Sequence, residues 1–175
     1  GPAAGGASYS PALTDFVMMT KGQGQLYITG PDVIKAVTGE EISHELLGGA
    51  ESHATKSGVA HFALDTEEEC IQAIKRLLSF LPQNNMEEPP LVESVDSPER
   101  TCDTLLETIP DNPNQAYDML DVIHQVVDQQ DFMEIHHLYA RNIIVGYGRM
   151  NGRTVGIVAN QPQQMAGVLD IDASV

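Results

Sequence analysis

Positive charge is scarce in this chain. Nine lysines and arginines stand against 25 aspartates and glutamates in 175 residues, a formal net charge of −16. A field of that sign repels phosphate backbones and anionic bilayers, so nucleic acid is not expected as a partner. Long apolar runs are also missing, and none approaches the ~20 residues needed to cross a bilayer. Cys70 and Cys102 are the only cysteines, and they form no metal-ligand pattern. Cys70 falls on an apolar helical stripe and is expected to be a buried thiol. No secretory leader is visible, and the composition fits a cytoplasmic protein. No internal repeat stands out. Catalytic signatures are thin as well. Ser10, Thr14 and Asp15 cluster, but no histidine has a spacing that completes a triad with them. Gly22-Gln23-Gly24 lacks the lysine and the strand-to-helix setting of a phosphate loop.

Three blocks are present. In residues 1–81, Val17-Met18-Met19 leads into a polar turn, Lys21-Gly22-Gln23-Gly24, and a short strand at Leu26-Tyr27-Ile28. Gly30-Pro31 opens a helix, with proline at its tolerated first position. Thr66 and Glu69 form a capping-box pattern. It starts a helix with Ile71, Ile74, Leu77, Leu78 and Leu81 at helical spacing, stopped by Pro82. Residues 82–113 hold six prolines, at 82, 89, 90, 98, 110 and 113, among acidic residues. This block reads as an extended connection with little packed structure, save a short helix around Thr101–Glu107. In residues 114–175, Met119, Leu120, Ile123, Val126 and Val127 mark an amphipathic helix. Ile143–Tyr147 and Thr154–Val158 read as strands joined by an Asn151-Gly152 hairpin turn. Their continuous apolar runs predict cover on both faces.

The most informative stretch is Gly1 to Phe16, with Gly5-Gly6-Ala7 ahead of a Ser/Pro/Ala segment. Glycines bring the backbone close to a ligand and accept φ > 0. A helix starting just after them adds unpaired N–H groups and the positive end of its dipole. Such a turn suits a developing oxyanion, and it equally suits a plain tight turn before a helix, here expected over Ala12–Phe16.

Gly1–Phe16 resembles the "GP-x-AGGA-x-YSPA-x-TDF" segment of the carboxyltransferase subunits of biotin-dependent acyl-CoA carboxylases, the propionyl-CoA carboxylase and methylmalonyl-CoA decarboxylase type. Tyr27–Lys35, Leu47–Ala50 with His53, Ser57–His61, Val158–Pro162 and Ala166–Asp172 resemble further motifs of that family in the same order. The resemblance implies an α/β, crotonase-like (ClpP/crotonase spiral) fold. Residues 1–81 would be part of a first, acyl-CoA-side domain and 114–175 part of a second, biotin-side domain, joined by a linker at 82–113. Family subunits are roughly three times longer. An internal segment is therefore expected, with no strand ahead of the turn, inactive by itself and prone to associate through unpaired strand edges.

The implied reaction moves a carboxyl group between carboxybiotin and the α-carbon of a short acyl-CoA such as propionyl-CoA. The enolate formed there needs oxyanion donors, which the resemblance assigns to the backbone amides of Gly5, Gly6 and Ala7. Biotin itself is implied as the proton acceptor, which accounts for the lack of a general base in the sequence. Tyr9, Ser10, Gly48, Gly49, His53, Asn160 and Gln161 are candidate substrate-binding residues. His53 is read as loop-ordering or substrate-lining. Asn160-Gln161-Pro162 is either a biotin-side wall or strand-end turn chemistry. Asp170 and Asp172 are read as a loop cap, His136-His137 as surface or interface residues, and His124 as a satisfied or edge histidine. No metal is expected. The implied partners are acyl-CoA, a biotin carboxyl carrier protein, a biotin carboxylase subunit or membrane decarboxylase subunits, and further copies of the subunit. A eukaryotic member would sit in the mitochondrial matrix. The competing reading is a non-catalytic assembly module of the same fold.

Overall fold

The computed structural model describes residues 1–174; Val175, the last residue of the third block, lies outside the described residues. The chain divides into two compact units, Gly1–Ile74 and the residues from Lys75 onward.

The first unit is built from short strands. β1 (Pro2–Ala4) pairs in parallel with β3 (Gln25–Tyr27), and β2 (Met18–Thr20) with β4 (Phe62–Leu64). Parallel partners need crossovers. The first runs through a 3₁₀ turn at Gly5–Ser8, helix α1 (Tyr9–Ala12) and β2. β1 corrects the expectation that no strand precedes the turn, because Pro2–Ala4 itself delivers it. α1 also departs from the expected 12–16. Thr14 ends it by turning its amide (3.1 Å) and its hydroxyl (2.7 Å) back onto the Pro11 carbonyl, a local bond that competes with helix continuation.

α2 (Pro31–Thr38) starts on Pro31, as its sequence signal requires, and stops at Gly39 in the left-handed region. α3 (His44–Gly48) and α4 (Ala50–Ser52) follow, then a π turn at His53–Ser57. α3 is capped by the Ser43 hydroxyl, which accepts from the Leu46 amide. The buried apolar set of this unit is small: Val17, Met19, Leu26, Phe62 and four alanines, Ala50, Ala54, Ala60 and Ala63.

α5 (Glu67–Leu78) opens on the capping box. The Glu69 amide donates to the Thr66 hydroxyl at 3.1 Å, and the Glu69 carboxylate accepts from the Thr66 amide at 3.3 Å. Its apolar stripe is less covered than its spacing predicts. Leu77 is buried, Ile71 and Leu78 are exposed, and Cys70 is half-buried rather than buried.

The second unit is an antiparallel sheet with a helix on it. β6 (Ile143–Met150) and β7 (Arg153–Asn160) form the predicted hairpin, with Asn151 and Gly152 both at positive φ, the geometry that matches strand twist. A third strand, β5 (Met133–Ile135), pairs with β6. α7 (Met119–Val126) packs Ile123 against Val127, Phe132 and Ile144, with Ile157 and Ala159 beside them. Burying each such side chain stabilises by roughly 1.5–3 kcal/mol. Phe80, fully buried, stacks on Tyr147 and lies 4.2 Å from the Arg149 guanidinium. The expectation of two-sided cover fails for β7. Its residues alternate, and Val158 on the far face is 73% exposed, because α7 supplies apolar cover on one face only.

The proline-rich block forms one helical turn, α6 (Leu105–Thr108), and little other regular structure. None of its residues is buried, in keeping with the expected lack of packed structure, but hydrogen bonds tie it to the second unit. Val92 donates its amide to the Gly152 carbonyl at 3.0 Å. Arg100 donates to the carbonyls of Gln125 (2.6 Å), Val126 (3.1 Å) and Val127 (2.9 Å), so it satisfies the C-terminal end of α7.

Candidate functional site

The Gly5–Ser8 turn sits between a strand and a helix, so its amides are the first that neither element satisfies. The amides of Gly5 and Gly6 are not equivalent. Gly5 takes φ +59°, which glycine alone adopts without strain, and it donates its N–H to the Ile28 carbonyl at 3.0 Å. Its amide is committed to the fold. Gly6 has an ordinary φ, is exposed, and its N–H has no acceptor among the described residues. A Cβ placed on Gly6 would meet nothing within 4 Å. Ala7 is exposed and makes no hydrogen bond outside the turn itself.

Sequence reasoning missed Ser8. It is buried, and its hydroxyl lies 2.9 Å from the Ala3 carbonyl on β1 and 2.8 Å from the Tyr27 carbonyl on β3. It ties the turn to both strands of the pair. A serine inside an otherwise small, apolar run was the available signal.

The other first-unit candidates divide between exposed and structural. Tyr9 is 55% exposed and Ser10 is exposed, both on α1 next to the turn. Gly48 is buried, and a Cβ there would collide with the Leu26 carbonyl and the Tyr27 ring, so it lets α3 approach β3. Gly49 forms a bridge with Gln25 at the edge of β3. Both ring nitrogens of His53 are occupied. Nε2 lies 2.6 Å from the Leu26 carbonyl, which only accepts, so Nε2 carries the hydrogen and Nδ1 accepts from the Ser57 hydroxyl at 2.8 Å. This geometry orders the loop. Among the described residues a cleft of about 190 Å³ lies beside β1 and β2, lined by Ala3, Met18, Met19 and Gln25, and it includes none of Gly5, Gly6 or Ala7.

In the second unit the candidates bind their own chain. Asn160 donates from Nδ2 to the Gly167 carbonyl at 2.5 Å. Gln161 is buried; its Nε2 donates to Asp118 at 2.7 Å and its Oε1 accepts from the Met119 amide at 3.2 Å. Gln161 thus fastens the N-terminus of α7 to the end of β7. Asp170 accepts from the Ala173 amide at 2.9 Å and the Asn142 side chain at 3.2 Å, which lowers its pKa and matches a loop cap. His124 donates from Nδ1 to the Gln130 carbonyl and meets Phe132 edge-on.

Asp128 is a second residue the sequence did not disclose. It is buried and accepts from the amides of Asn151 (3.0 Å) and Gly152 (2.7 Å) at the hairpin turn. Burial alone would push its pKa up. The two amides, the Ser94 hydroxyl and the Arg100 guanidinium outweigh that and hold it below the ordinary value of 3.8. Burial, and then the nearby Asp118, raise the pKa of Glu134 on β5. Among the described residues no three of His, Cys, Asp or Glu gather as a metal site, and no helix is long and apolar enough to cross a membrane.

The sequence pattern of the carboxyl transferase domain matches residues 1–175. The chain is 56% identical over 174 residues to the propionyl-CoA carboxylase carboxyltransferase subunit of Haloferax mediterranei, covering 99% of this chain and 34% of that one. It is also 56% identical over 174 residues to the methylmalonyl-CoA decarboxylase subunit alpha of Veillonella parvula, with the same coverage. Among solved structures it matches transcarboxylase 12S, a hexamer assembly with methylmalonyl-coenzyme A and methylmalonic acid bound. That match has a TM-score of 0.95 and 49% identity, over 99% of this chain and 34% of that one. The fold is therefore the crotonase-like carboxyltransferase fold expected from the sequence. The chain spans about a third of the length of the curated relatives it matches, 34% in each of these.

Proposed function

Because the chain belongs to the carboxyl transferase domain family, we propose that it serves a carboxyltransferase that moves a carboxyl group between biotin and the α-carbon of a short acyl-CoA, propionyl-CoA or methylmalonyl-CoA. The observation that carries the reading is the open amide of Gly6, exposed and without an acceptor among the described residues, on a turn anchored at its two ends by Gly5 and Ser8. Loss of the α-proton places negative charge on the thioester oxygen. The Gly6 amide, with Ala7 as the second donor, meets that charge. Preset donors of this kind lower a barrier by roughly 3–4 kcal/mol each. Gly5 has a different task, because its amide holds the turn against Ile28. Tyr9 and Ser10 line the approach to the turn from α1. Gly48, Gly49 and His53 act behind it by fixing β3.

Carboxybiotin enters as the second substrate, delivered by a separate carrier protein. Gln161 is buried and spends its side-chain oxygen and an N–H on Met119 and Asp118. Asn160 is exposed and spends one N–H on Gly167, so on the biotin side Asn160 is the residue placed to make a wall contact. Association with further copies belongs to the same reading. α2 and α3 leave Val33, Val37 and Leu46 at 51%, 78% and 62% exposure, an apolar surface that suits burial in an assembly. The test is transfer of labelled carboxylate from carboxybiotin on its carrier to propionyl-CoA by the enzyme carrying this chain. Label in methylmalonyl-CoA is the expected result. A labelled longer-chain product with no methylmalonyl-CoA removes the substrate assignment, and no transfer at all removes the reading.

A further inference from the structure

We propose that Ser8 is a positioning residue for the oxyanion amide at Gly6. The inference rests on the carboxyltransferase reading above. Ser8 is 5% exposed, so it is shielded from any ligand and acts through the turn. Its hydroxyl reaches two carbonyls on two different strands, Ala3 on β1 and Tyr27 on β3, at 2.9 and 2.8 Å. Those strands are in register at Ala4↔Tyr27, the last pair before the turn. The hydroxyl therefore grips the ladder at the point where the chain leaves it. The Gly5 amide makes the third tie, 3.0 Å to the Ile28 carbonyl, one residue beyond Tyr27. Gly6 lies between these two anchors and has neither a side chain nor a backbone acceptor to hold it.

The direction of the Gly6 N–H is then set by its neighbours. A single hydroxyl proton is shared between two acceptors, so the grip is geometric as much as energetic. Removing the hydroxyl leaves both strands paired and the helix intact, but it frees the C-terminal end of the turn. Misplacing a reacting group by about 1 Å can cost on the order of a hundredfold in rate. A donor that matters only once charge develops affects kcat and leaves substrate binding alone.

The test uses the enzyme carrying this chain, assembled with its biotin carrier, with Ser8→Ala, Ser8→Thr and Gly6→Val assayed side by side. Ser8→Ala is expected to lower kcat by about tenfold or more, with KM for propionyl-CoA within about twofold. Ser8→Thr keeps the hydroxyl and should recover most of the loss. A kcat near wild type in Ser8→Ala, with Gly6→Val inactive, overturns the Ser8 role and leaves the oxyanion reading standing. Near-wild-type turnover in Gly6→Val overturns both. Should Ser8→Ala not fold, Ser8→Cys, of near-equal size and a weaker donor, takes its place. The same fall in kcat supports the role, and an unchanged kcat overturns it.

Discussion

Two glycine turns in this molecule present backbone amides, and they differ in what those amides meet. At the hairpin turn, Asn151 and Gly152 both donate to the buried carboxylate of Asp128, so the chain provides its own anion. At the Gly5–Ser8 turn, Gly5 donates to a carbonyl and Gly6 has no acceptor among the described residues. The first turn is closed and serves stability. The second is held at its two ends by Gly5 and Ser8, and among the described residues nothing accepts from the Gly6 amide between them. In the sequence Asn151-Gly152 reads as a hairpin turn and Gly5-Gly6-Ala7 as a turn that suits an oxyanion or a plain tight turn, and neither pattern discloses which amides the chain itself satisfies.

The largest expected effect breaks the open turn. Gly6→Val in the enzyme carrying this chain should lower kcat by about 10²–10³. Its melting temperature should stay near wild type, because the added Cβ has no neighbour within 4 Å and φ is ordinary. Steady-state kinetics beside a thermal melt measure both, and a stable, fully active Gly6→Val sinks the oxyanion assignment.

At the closed turn the same logic predicts stability rather than rate. Asp128→Ala leaves two hairpin amides unpaired, at a cost of about 2–4 kcal/mol read from denaturant unfolding. The carboxylate also makes the turn pH-sensitive. Its folded pKa lies below the ordinary 3.8, so its stabilisation is complete above that value and is lost as pH falls through and below it. Wild type should therefore lose stability in that acid window more steeply than Asp128→Asn. Parallel acid profiles for the two proteins would contradict the clasp.

Gln161 and Asn160 sharpen the comparison one step further. Gln161→Ala should destabilise by about 1–2 kcal/mol, because it breaks the tie between α7 and β7. Asn160→Ala should do so by less than about 1 kcal/mol, since one exposed bond is lost. A larger loss for Asn160 in chemical unfolding would reverse the structural assignment of the pair.

Much of this was legible in the residues. Helices with explicit start signals opened where they were read, at Pro31 and at the Thr66–Glu69 capping box, while the stop at Gly39 was not read from the sequence. Asn151-Gly152 specified its hairpin. What escaped were features set by partners far away in sequence. Three-residue strands such as β1 and β5 have no room for a periodic pattern, so nothing local marks them. The apolar run of β7 suggested cover on both faces, yet coverage depends on which elements pack there, and α7 takes one side only. Arg100 made the proline-rich block part of the second unit through bonds to carbonyls 25 to 27 residues away. At the site itself, the Gly-Gly-Ala motif located the turn correctly. Its composition could not tell that Gly5 is consumed by Ile28, because that bond is between residues 23 apart in the chain.

The smallest effect is the one that separates two adjacent glycines. Gly5 sits at φ +59°, where an alanine is strained, and its nearest contact for an added Cβ is the Ile28 carbonyl at 3.8 Å, so strain and not collision is the penalty. Gly5→Ala should cost about 1 kcal/mol of stability. Alanine keeps the N–H, so the bond to Ile28 survives and the Gly6 amide stays aimed. Turnover should then fall by less than about tenfold, far short of the loss at Gly6. If Gly5→Ala instead matches Gly6→Val in activity while unfolding normally, the Gly5 amide takes part in the reaction after all. Its bond to Ile28 would then have to open when acyl-CoA binds, and the turn would be a movable element rather than a fixed one.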